Sequence, residues 1–222
     1  MKKIICVFLA ILMVMSLSVN AFAAEAAGSE YEITIDADTE ITVIVPAELS
    51  TELNEASIID LLDGGSFRDG DVITIREIGF LDEVENPEVQ PRLFETYKTT
   101  TTTTSAEYKC QNFFVISVAK GQTTTLASEF SRTLSVGVTA GDPFVKAEIG
   151  SSVTAKYTTT HQFTGPAESS AYNSREFRVQ FYAKSVSWVQ SQYSFTGELI
   201  ETRSGTANVP TKYLLYSIDH TV

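Results

Sequence analysis

The residue types that most often perform catalysis are scarce in this chain. It contains two histidines, His161 and His220, so a histidine-based metal site or catalytic triad must use one of them. We expect both to be structural or solvated, since His161 follows a threonine run typical of a strand and His220 lies near the end of the sequence. No GxSxG, HExxH, phosphate-loop or CxxC motif is present. We therefore predict that the protein is not an enzyme and uses no cofactor.

Cysteine chemistry is equally restricted. Cys6 lies in an apolar N-terminal run and Cys110 is the other cysteine, so no disulfide can form within the chain that follows the run. Cys110 has three interpretations: a packed free thiol, which we favour, an intermolecular bridge, or a nucleophile. A nucleophilic thiol needs a neighbouring base, and bases are few.

Carboxylates offer another route to chemistry. Asp36, Asp38 and Glu40 alternate through a predicted strand and turn, and their oxygens are ligands that calcium prefers. Asp69 and Asp71 could complete such a site. The glycine and glutamate of a helix-loop-helix calcium motif are missing at the corresponding positions, and an ordinary solvated acidic face is the alternative. Residue types alone also leave open an acid pair of the glycosidase kind.

A polar loop is the best candidate for a binding contact. Residues 165–175 are dense in turn formers and include one tyrosine and one arginine. Exposed aromatic side chains such as Tyr172, Trp188 and Tyr193 would present a flat surface to a sugar or a protein, whereas the alternative for each is core packing. The candidate binding residues are Glu168, Tyr172, Asn173, Arg175 and Trp188.

Charge divides the chain into two compositional halves. The formal net charge is −12. Residues 24–95 carry 19 acidic side chains against three arginines, whereas residues 96–222 carry nine acidic and 11 basic ones. The acidic half argues against a nucleic-acid partner, because phosphates require a basic footprint, whereas the near-neutral second half leaves this open; we expect no nucleic-acid partner. We predict an acidic α+β module over 24–95 and an antiparallel β domain over 96–222.

The N-terminal segment predicts export. Lys2 and Lys3 precede an apolar run from Ile4 to Leu17, and Ala21-Phe22-Ala23 is a typical cleavage site. We therefore predict a bacterial-type signal peptide over residues 1–23, cleavage near Ala23-Ala24 and a secreted protein. No later stretch has the roughly 18 to 20 apolar residues of a transmembrane helix.

Local patterns in the first half predict strands and one helix. Residues 31–36 and 40–45 are alternating, β-branched runs typical of strands, and residues 72–75 are another. Residues 54–63 have helical spacing and end at two glycines. Residues 82–91 predict an extended connection into the threonine tract 99–104, which we expect to be a strand that continues into a loop.

The second half predicts antiparallel strands. Apolar and polar residues alternate along 130–140 and again along 145–157, and Gly141-Asp142-Pro143 provides a turn, which predicts a long amphipathic hairpin. Further strands are predicted at 177–181, 188–195 and 213–218, separated by Gly165-Pro166, Gly197 and Pro210. The chain is thus predicted to be mainly β: an antiparallel, Ser/Thr-rich β-sandwich or meander, preceded by a small acidic α+β segment with one short helix.

The hairpin also carries a resemblance. Over Thr123 to Phe163 the chain resembles the aerolysin and epsilon-toxin family of β-pore-forming proteins. In that family an oligomer releases and inserts a Ser/Thr-rich amphipathic hairpin. The resemblance implies that residues 130–157 are membrane-active, whereas the simpler alternative is that one face of the hairpin packs on a core.

The sequence favours a secreted, non-enzymatic, β-rich binding or envelope-associated module. Its partner would be an extracellular protein, a glycan or a wall polymer. The alternative is a pore former that uses hairpin 130–157, and membrane contact is expected only in that case. A third hypothesis is an inhibitor or immunity-type protein whose acidic half docks a basic target.

Overall fold

The computed structural model describes residues 29–34, 40–53, 55–62, 65, 67–81, 95–138, 149 and 152–221. The strands are β1 (Ser29–Thr34), β2 (Glu40–Val45), β3 (Val72–Phe80), β4 (Glu95–Thr103), β5 (Tyr108–Ala119), β6 (Thr123–Thr125), β7 (Phe130–Ser135), β8 (Gly137–Val138), β9 (Ser152–Tyr157), β10 (Gln162–Thr164), β11 (Ser174–Ser194) and β12 (Leu199–His220). The helix is α1 (Glu55–Leu62). The mainly β, mostly antiparallel fold predicted from sequence is confirmed.

The first-half predictions are confirmed within the described residues. The predicted strands at 31–36 and 40–45 are β1 and β2, and the predicted helix is α1. The predicted strand at 72–75 is the beginning of the longer β3, and most of the threonine tract lies in β4. The predicted signal peptide 1–23, the connection 82–91 and the turn 141–143 lie outside the described residues.

One eight-stranded sheet organises the molecule. Its main path is β1-β2-β3-β12-β11-β4, with β5 also paired to β11 and β8 to β12. Only β2 and β3 run parallel among these pairs. Because β3 pairs with β12, strands from both sides of residue 95 share this sheet. The module boundary at residue 95 stays a prediction.

Strands β11 and β12 form a hairpin of unusual length, with 21 and 22 residues. The sequence predicted separate strands at 177–181 and 188–195 and a break at Pro210, and this prediction was wrong. Ala183 pairs with Pro210 and Tyr182 with Lys212, so a register shift accommodates the proline at a bulge. A proline is tolerated there because the hydrogen-bond ladder is already interrupted.

Both faces of the sheet are packed at its centre. On one face, α1 contributes Ile58, Leu61 and Leu62 to a core with residues of β2, β3 and β12. On the other face, two small ribbons, β7–β9 and β6–β10, contribute side chains such as Val153 and Phe163 to a second core. This layered packing follows from sheet strands that are apolar on both sides.

The predicted hairpin is confirmed over six residue pairs, from Phe130↔Tyr157 to Ser135↔Ser152. Beyond this ladder the first arm leaves its partner within the described residues, since Gly137 and Val138 pair with β12. Val136, between β7 and β8, is 3% exposed and belongs to a third core cluster. Within the described residues the paired segment is therefore shorter than the sequence pattern predicted.

Candidate functional site

A polar cleft opens on the face of the sheet that carries α1. It has a volume of about 530 Å³ and lies where β5, β11 and β12 meet the segment after the helix. Glu176, Arg178 and Gln180 alternate along β11 and therefore point to this one face. The intervening residues Phe177 and Val179 point to the opposite core. One strand thus supplies both the polar cleft and the ribbon-side core.

Asn112 of β5 connects the three strands that form the cleft. Its amide nitrogen donates to Gln180 Oε1 at 2.9 Å and to the Tyr216 hydroxyl at 2.8 Å. Its amide oxygen accepts from Arg178 Nε at 2.7 Å. Arg178 also donates to the Glu176 carboxylate. All donors and acceptors of the Asn112 amide group are therefore directed by neighbours, which fixes its orientation.

The floor of the cleft is buried. Gln180 is 5% exposed, and its amide nitrogen donates to the main-chain oxygens of Gln111, at 3.0 Å, and Phe181, at 2.8 Å. Burial raises the pKa of Tyr216, opposed by the hydrogen bond with Asn112 and by nearby Arg178. The phenol therefore stays protonated at neutral pH, and its oxygen accepts the Asn112 proton.

An acid-histidine-acid series closes one end of the cleft. His220 Nδ1 lies 3.0 Å from Asp71 Oδ1, and its Nε2 lies 3.7 Å from Glu176 Oε2. Asp71 is 1% exposed and also accepts from the backbone N–H of Arg68 at 2.9 Å. Two partners therefore fix the Asp71 carboxylate, which in turn holds the histidine ring at the rim.

Cys110 also lines the cleft as a free thiol; the residue as a whole is exposed, while its sulfur is partly buried, so it does not belong to the core. Its Sγ donates to Phe181 O at 3.3 Å. Burial of the sulfur raises the pKa of the Cys110 thiol, opposed by a hydrogen bond from the backbone of Gln111. Since the thiolate is the reactive form, this shift works against a nucleophilic role.

Trp188, one of the predicted binding residues, lies in the core. Its side chain is 2% exposed, which agrees with the core-packing alternative and not with an exposed binding residue. It pairs with Gly205, and a Cβ atom on Gly205 would lie 2.7 Å from Trp188 Cζ2. The ring thus covers a residue without a side chain and packs with Val136 and Ala207 in the third core. Trp188 therefore cannot provide a flat surface to a ligand.

Arg175 is held in a structural ion pair. Its Nε and Nη2 donate to Asp219 Oδ1 and Oδ2 at 2.6 and 2.8 Å, and its side chain is 14% exposed. Its Nη1 donates to Thr164 O at 3.3 Å. These bonds direct most of its donors to the protein itself.

The other predicted binding residues lie in the loop before β11. Glu168 and Asn173 are exposed and Tyr172 is half-buried. The Asn173 backbone N–H donates to His220 O at 3.0 Å, which anchors this loop beside the cleft. A binding role for these three residues stays a prediction.

The calcium prediction receives no support from the described residues. Asp36 and Asp38 lie outside them. Asp69 Oδ1 accepts from the backbone N–H of Glu40 at 3.1 Å. The Asp71 carboxylate is bonded to the backbone N–H of Arg68 and to the His220 ring. In the described part of the chain, no group of three or more acidic, histidine or cysteine side chains is placed to hold a metal ion.

His161 is exposed in a turn that follows β9. Its ring lies 5.0 Å from that of Tyr157 and 4.7 Å from that of Phe163, measured between centroids. It thus packs on aromatic side chains, apart from the His220 cluster.

The residues that form the cleft were not predicted from the sequence. Asn112, Glu176, Arg178 and Gln180 looked like ordinary solvent-facing positions of strands. The sequence did contain one indication of the cleft: polar residues occupy every second position of this part of β11 and alternate with phenylalanine and valine. That alternation shows a polar face, but it does not show which polar residues of other strands meet it.

Comparisons of the chain with protein-family models, curated proteins and solved structures find no match. Among the described residues, no helix is long and apolar enough to cross a membrane.

Proposed function

We propose that this is a secreted, non-enzymatic extracellular protein that binds a glycan in the polar cleft. The observation that carries the proposal is the set of planar polar side chains Asn112, Glu176 and Arg178, fixed by mutual hydrogen bonds at the rim of an open cleft. Sugar hydroxyls both donate and accept, and a mixed amide, carboxylate and guanidinium surface matches that chemistry.

Preorganisation supports this proposal. The Asn112 and Gln180 amides are oriented before any ligand arrives, so little side-chain freedom is lost on binding. Phe67 lines the same cleft and is half-buried, which leaves ring surface for the apolar face of a sugar. The predicted signal peptide and the Ser/Thr-rich strands are consistent with an extracellular role.

The proposal includes that the protein binds the glycan without catalysing a reaction on it. The raised pKa of Cys110 works against thiol nucleophilicity. Both ring nitrogens of His220 face carboxylates of the protein itself, Asp71 at 3.0 Å and Glu176 at 3.7 Å, and no serine or thiol nucleophile among the described residues is hydrogen-bonded to the ring.

The test is titration calorimetry with neutral oligosaccharides and with soluble wall-polysaccharide fragments. Asn112→Ala removes the junction of the cleft network and is expected to weaken binding by roughly tenfold or more. Asn208→Ala is the matched control, because Asn208 is an exposed asparagine on the far part of β12. Glu176→Gln keeps the side-chain volume and should also weaken binding.

Equal affinity of the Asn112 and Asn208 variants would contradict binding in the cleft. Shortened glycan products after incubation would contradict the non-enzymatic part. Circular dichroism spectra equal to that of the unmodified protein establish that each variant is folded.

A second candidate function is pore formation by the β7–β9 ribbon. Strands β7 and β9 form a two-stranded sheet of their own, separate from the main sheet in the described residues. Val153, Ala155 and Tyr157 bury one face, whereas the other carries hydroxyls such as the Thr133–Thr154 pair, 3.0 Å apart. Side chains therefore make most of its attachment, which suits a hairpin that detaches.

A disulfide between β8 and β12 tests this second function. Val138→Cys with Ala207→Cys places two thiols on directly paired residues, in a Cys110→Ser background. We expect the oxidised form to lose dye release from lipid vesicles and the reduced form to regain it. Thr133→Cys with Thr154→Cys is the control, since it staples the ribbon internally. Lysis by the oxidised β8–β12 variant would eliminate the pore function.

A further inference from the structure

The turn between β11 and β12 presents three apolar side chains to solvent. Phe195 is 80% exposed, Leu199 58% and Ile200 53%. They lie at the end of the longest hairpin among the described residues, away from the cleft and from the β7–β9 ribbon. Large apolar side chains clustered in this way at one tip mark an interaction site.

The turn is rigid as well as apolar. Ser194 N–H donates to Glu198 O at 2.8 Å, and Gly197 N–H donates to Ser194 O at 2.9 Å. Glu198 N–H donates to Ser194 Oγ at 3.1 Å. Gly197 has φ +84°, which favours glycine at this position. The tip therefore presents its apolar side chains from a fixed, convex backbone.

Two tyrosines form a belt directly behind the tip. Tyr97 of β4 pairs with Gln192, and Tyr193 is the next residue of β11, so the two rings lie on opposite faces of the sheet. Both are half-buried. Tyrosine is enriched where an apolar surface meets water, and in particular at the boundary between lipid chains and headgroups.

The charge at the tip also favours a lipid partner. Glu201 is paired with Arg203 at 2.8 Å, and Glu198 and Lys98 are of opposite sign. With Glu95, which pairs with Ser194, the described residues at this end include three acidic and two basic ones, a formal net charge of −1 in a chain whose net charge is −12. A tip of such low net charge suits a zwitterionic surface, whereas the acidic remainder of the chain is repelled by an anionic one.

We propose that the β11–β12 tip inserts into the interface of a zwitterionic lipid bilayer and anchors the protein there. Phe195, Leu199 and Ile200 enter the boundary between headgroups and acyl chains, roughly 5 to 10 Å deep, and the two tyrosines lie at headgroup level. The insertion needs neither glycan binding nor release of the ribbon. It gives the protein a membrane contact that is distinct from pore formation.

The experiment uses phosphatidylcholine vesicles and a chain that begins at Ala24, which retains every described residue and lacks the apolar run near the N-terminus. Phe195→Trp is placed in a Trp188→Phe background, because Trp188 is the native tryptophan. We expect a blue shift of its fluorescence on vesicle addition, and quenching by lipids brominated near the headgroup end of their chains.

Co-sedimentation measures the affinity. Phe195→Ser is expected to reduce the partition coefficient by roughly tenfold or more. Val189→Ser is the matched control, since Val189 is an apolar residue of the same hairpin, 41% exposed, and lies away from the turn. Replacing part of the phosphatidylcholine with phosphatidylglycerol should weaken binding. The oxidised Val138→Cys, Ala207→Cys variant should bind as well as the unmodified chain.

Equal binding by the Phe195 and Val189 variants would overturn the proposal, as would loss of binding in the ribbon-locked variant. A dimer that Phe195→Ser dissociates, together with no vesicle binding, would assign the tip to a second copy of the chain instead.

Discussion

The two halves of the β11–β12 hairpin differ in how many of their faces are covered. In the near half, 174–184 with 209–220, α1 packs on one face and the ribbons pack on the other. In the far half, 185–208, a small cluster around Trp188 and Val136 buries one face, while Val189 on the other is 41% exposed. The same two strands therefore serve as core in one half and as surface in the other.

The side chains of the two halves explain why one half is covered on both faces and the other is not. Residues 213–216 of the near half are apolar in succession, which is typical of a strand buried on both faces. In the far half, Thr202, Ser204 and Thr206 occupy every second position and are exposed. Residues 201 and 203, which alternate with these, are charged and also exposed, so the hairpin extends beyond its core where its sequence changes from continuous apolar to mainly polar character.

The largest effect is expected for Phe181→Ala in the near half. Phe181 is 0% exposed and its ring contacts those of Phe113 and Tyr213, at centroid distances of 6.0 and 5.9 Å. Removing it should lower the free energy of unfolding by about 3 to 5 kcal/mol. Urea denaturation measures this loss, and a change below about 1 kcal/mol would show that the near half is not a two-sided core.

A smaller loss is expected for Arg175→Ala, at the end of the near half. Asp219, with a side chain 9% exposed, would keep its charge and lose both guanidinium bonds. We expect a loss of about 2 to 3 kcal/mol, because an unpaired and largely buried carboxylate is costly. The double variant Arg175→Ala, Asp219→Ala should recover part of it in the same denaturation assay; no recovery would contradict the ion-pair explanation.

Trp188→Phe in the far half should change the stability by about 1 kcal/mol or less. The variant loses some packing, but it also removes Nε1, a buried donor with no partner among the described residues. Trp188→Ala is the reference, with an expected loss of about 3 to 5 kcal/mol. Similar losses for the two variants would show that the indole nitrogen has a partner in the folded protein.

The smallest effect is expected for Val189→Ser, on the uncovered face of the far half. The side chain is already exposed, so the free energy of unfolding should change by no more than about 0.5 kcal/mol. Thermal and urea unfolding measure this change. A loss above about 1.5 kcal/mol would mean that another part of the chain covers this face.

Local features of the fold could be predicted from sequence because their causes are local. Helix α1 has apolar residues at helical spacing and a glycine beyond its end, and the β7–β9 pairing follows from strict alternation. The continuation of β12 through Pro210 could not be predicted this way. It depends on a bulge in which β12 has one residue, Thr211, more than β11 between the pairs Ala183–Pro210 and Tyr182–Lys212.

The cleft could not be predicted for a related reason. Asn112 lies 68 residues before Gln180 and 104 before Tyr216, and only the pairing of β5, β11 and β12 brings them together. Trp188 shows the same limit, since its burial depends on Gly205 in the opposite strand and on Val136. Residue types indicated possible chemistry, whereas the topology determined which side chains meet.

The position of β12 has a consequence for how the chain acquires its structure. In the sheet β12 lies between β3 and β11, although it follows both along the chain. The β3–β12 pairing joins residues such as Val72 and Asp219, so the sheet has a high contact order and should form slowly. Until β12 is available, β2 and β3 lack the neighbour that connects them to the remaining strands. The central sheet is therefore expected to form only after the C-terminal strand has been synthesised, and the first three strands stay without their full set of partners until then.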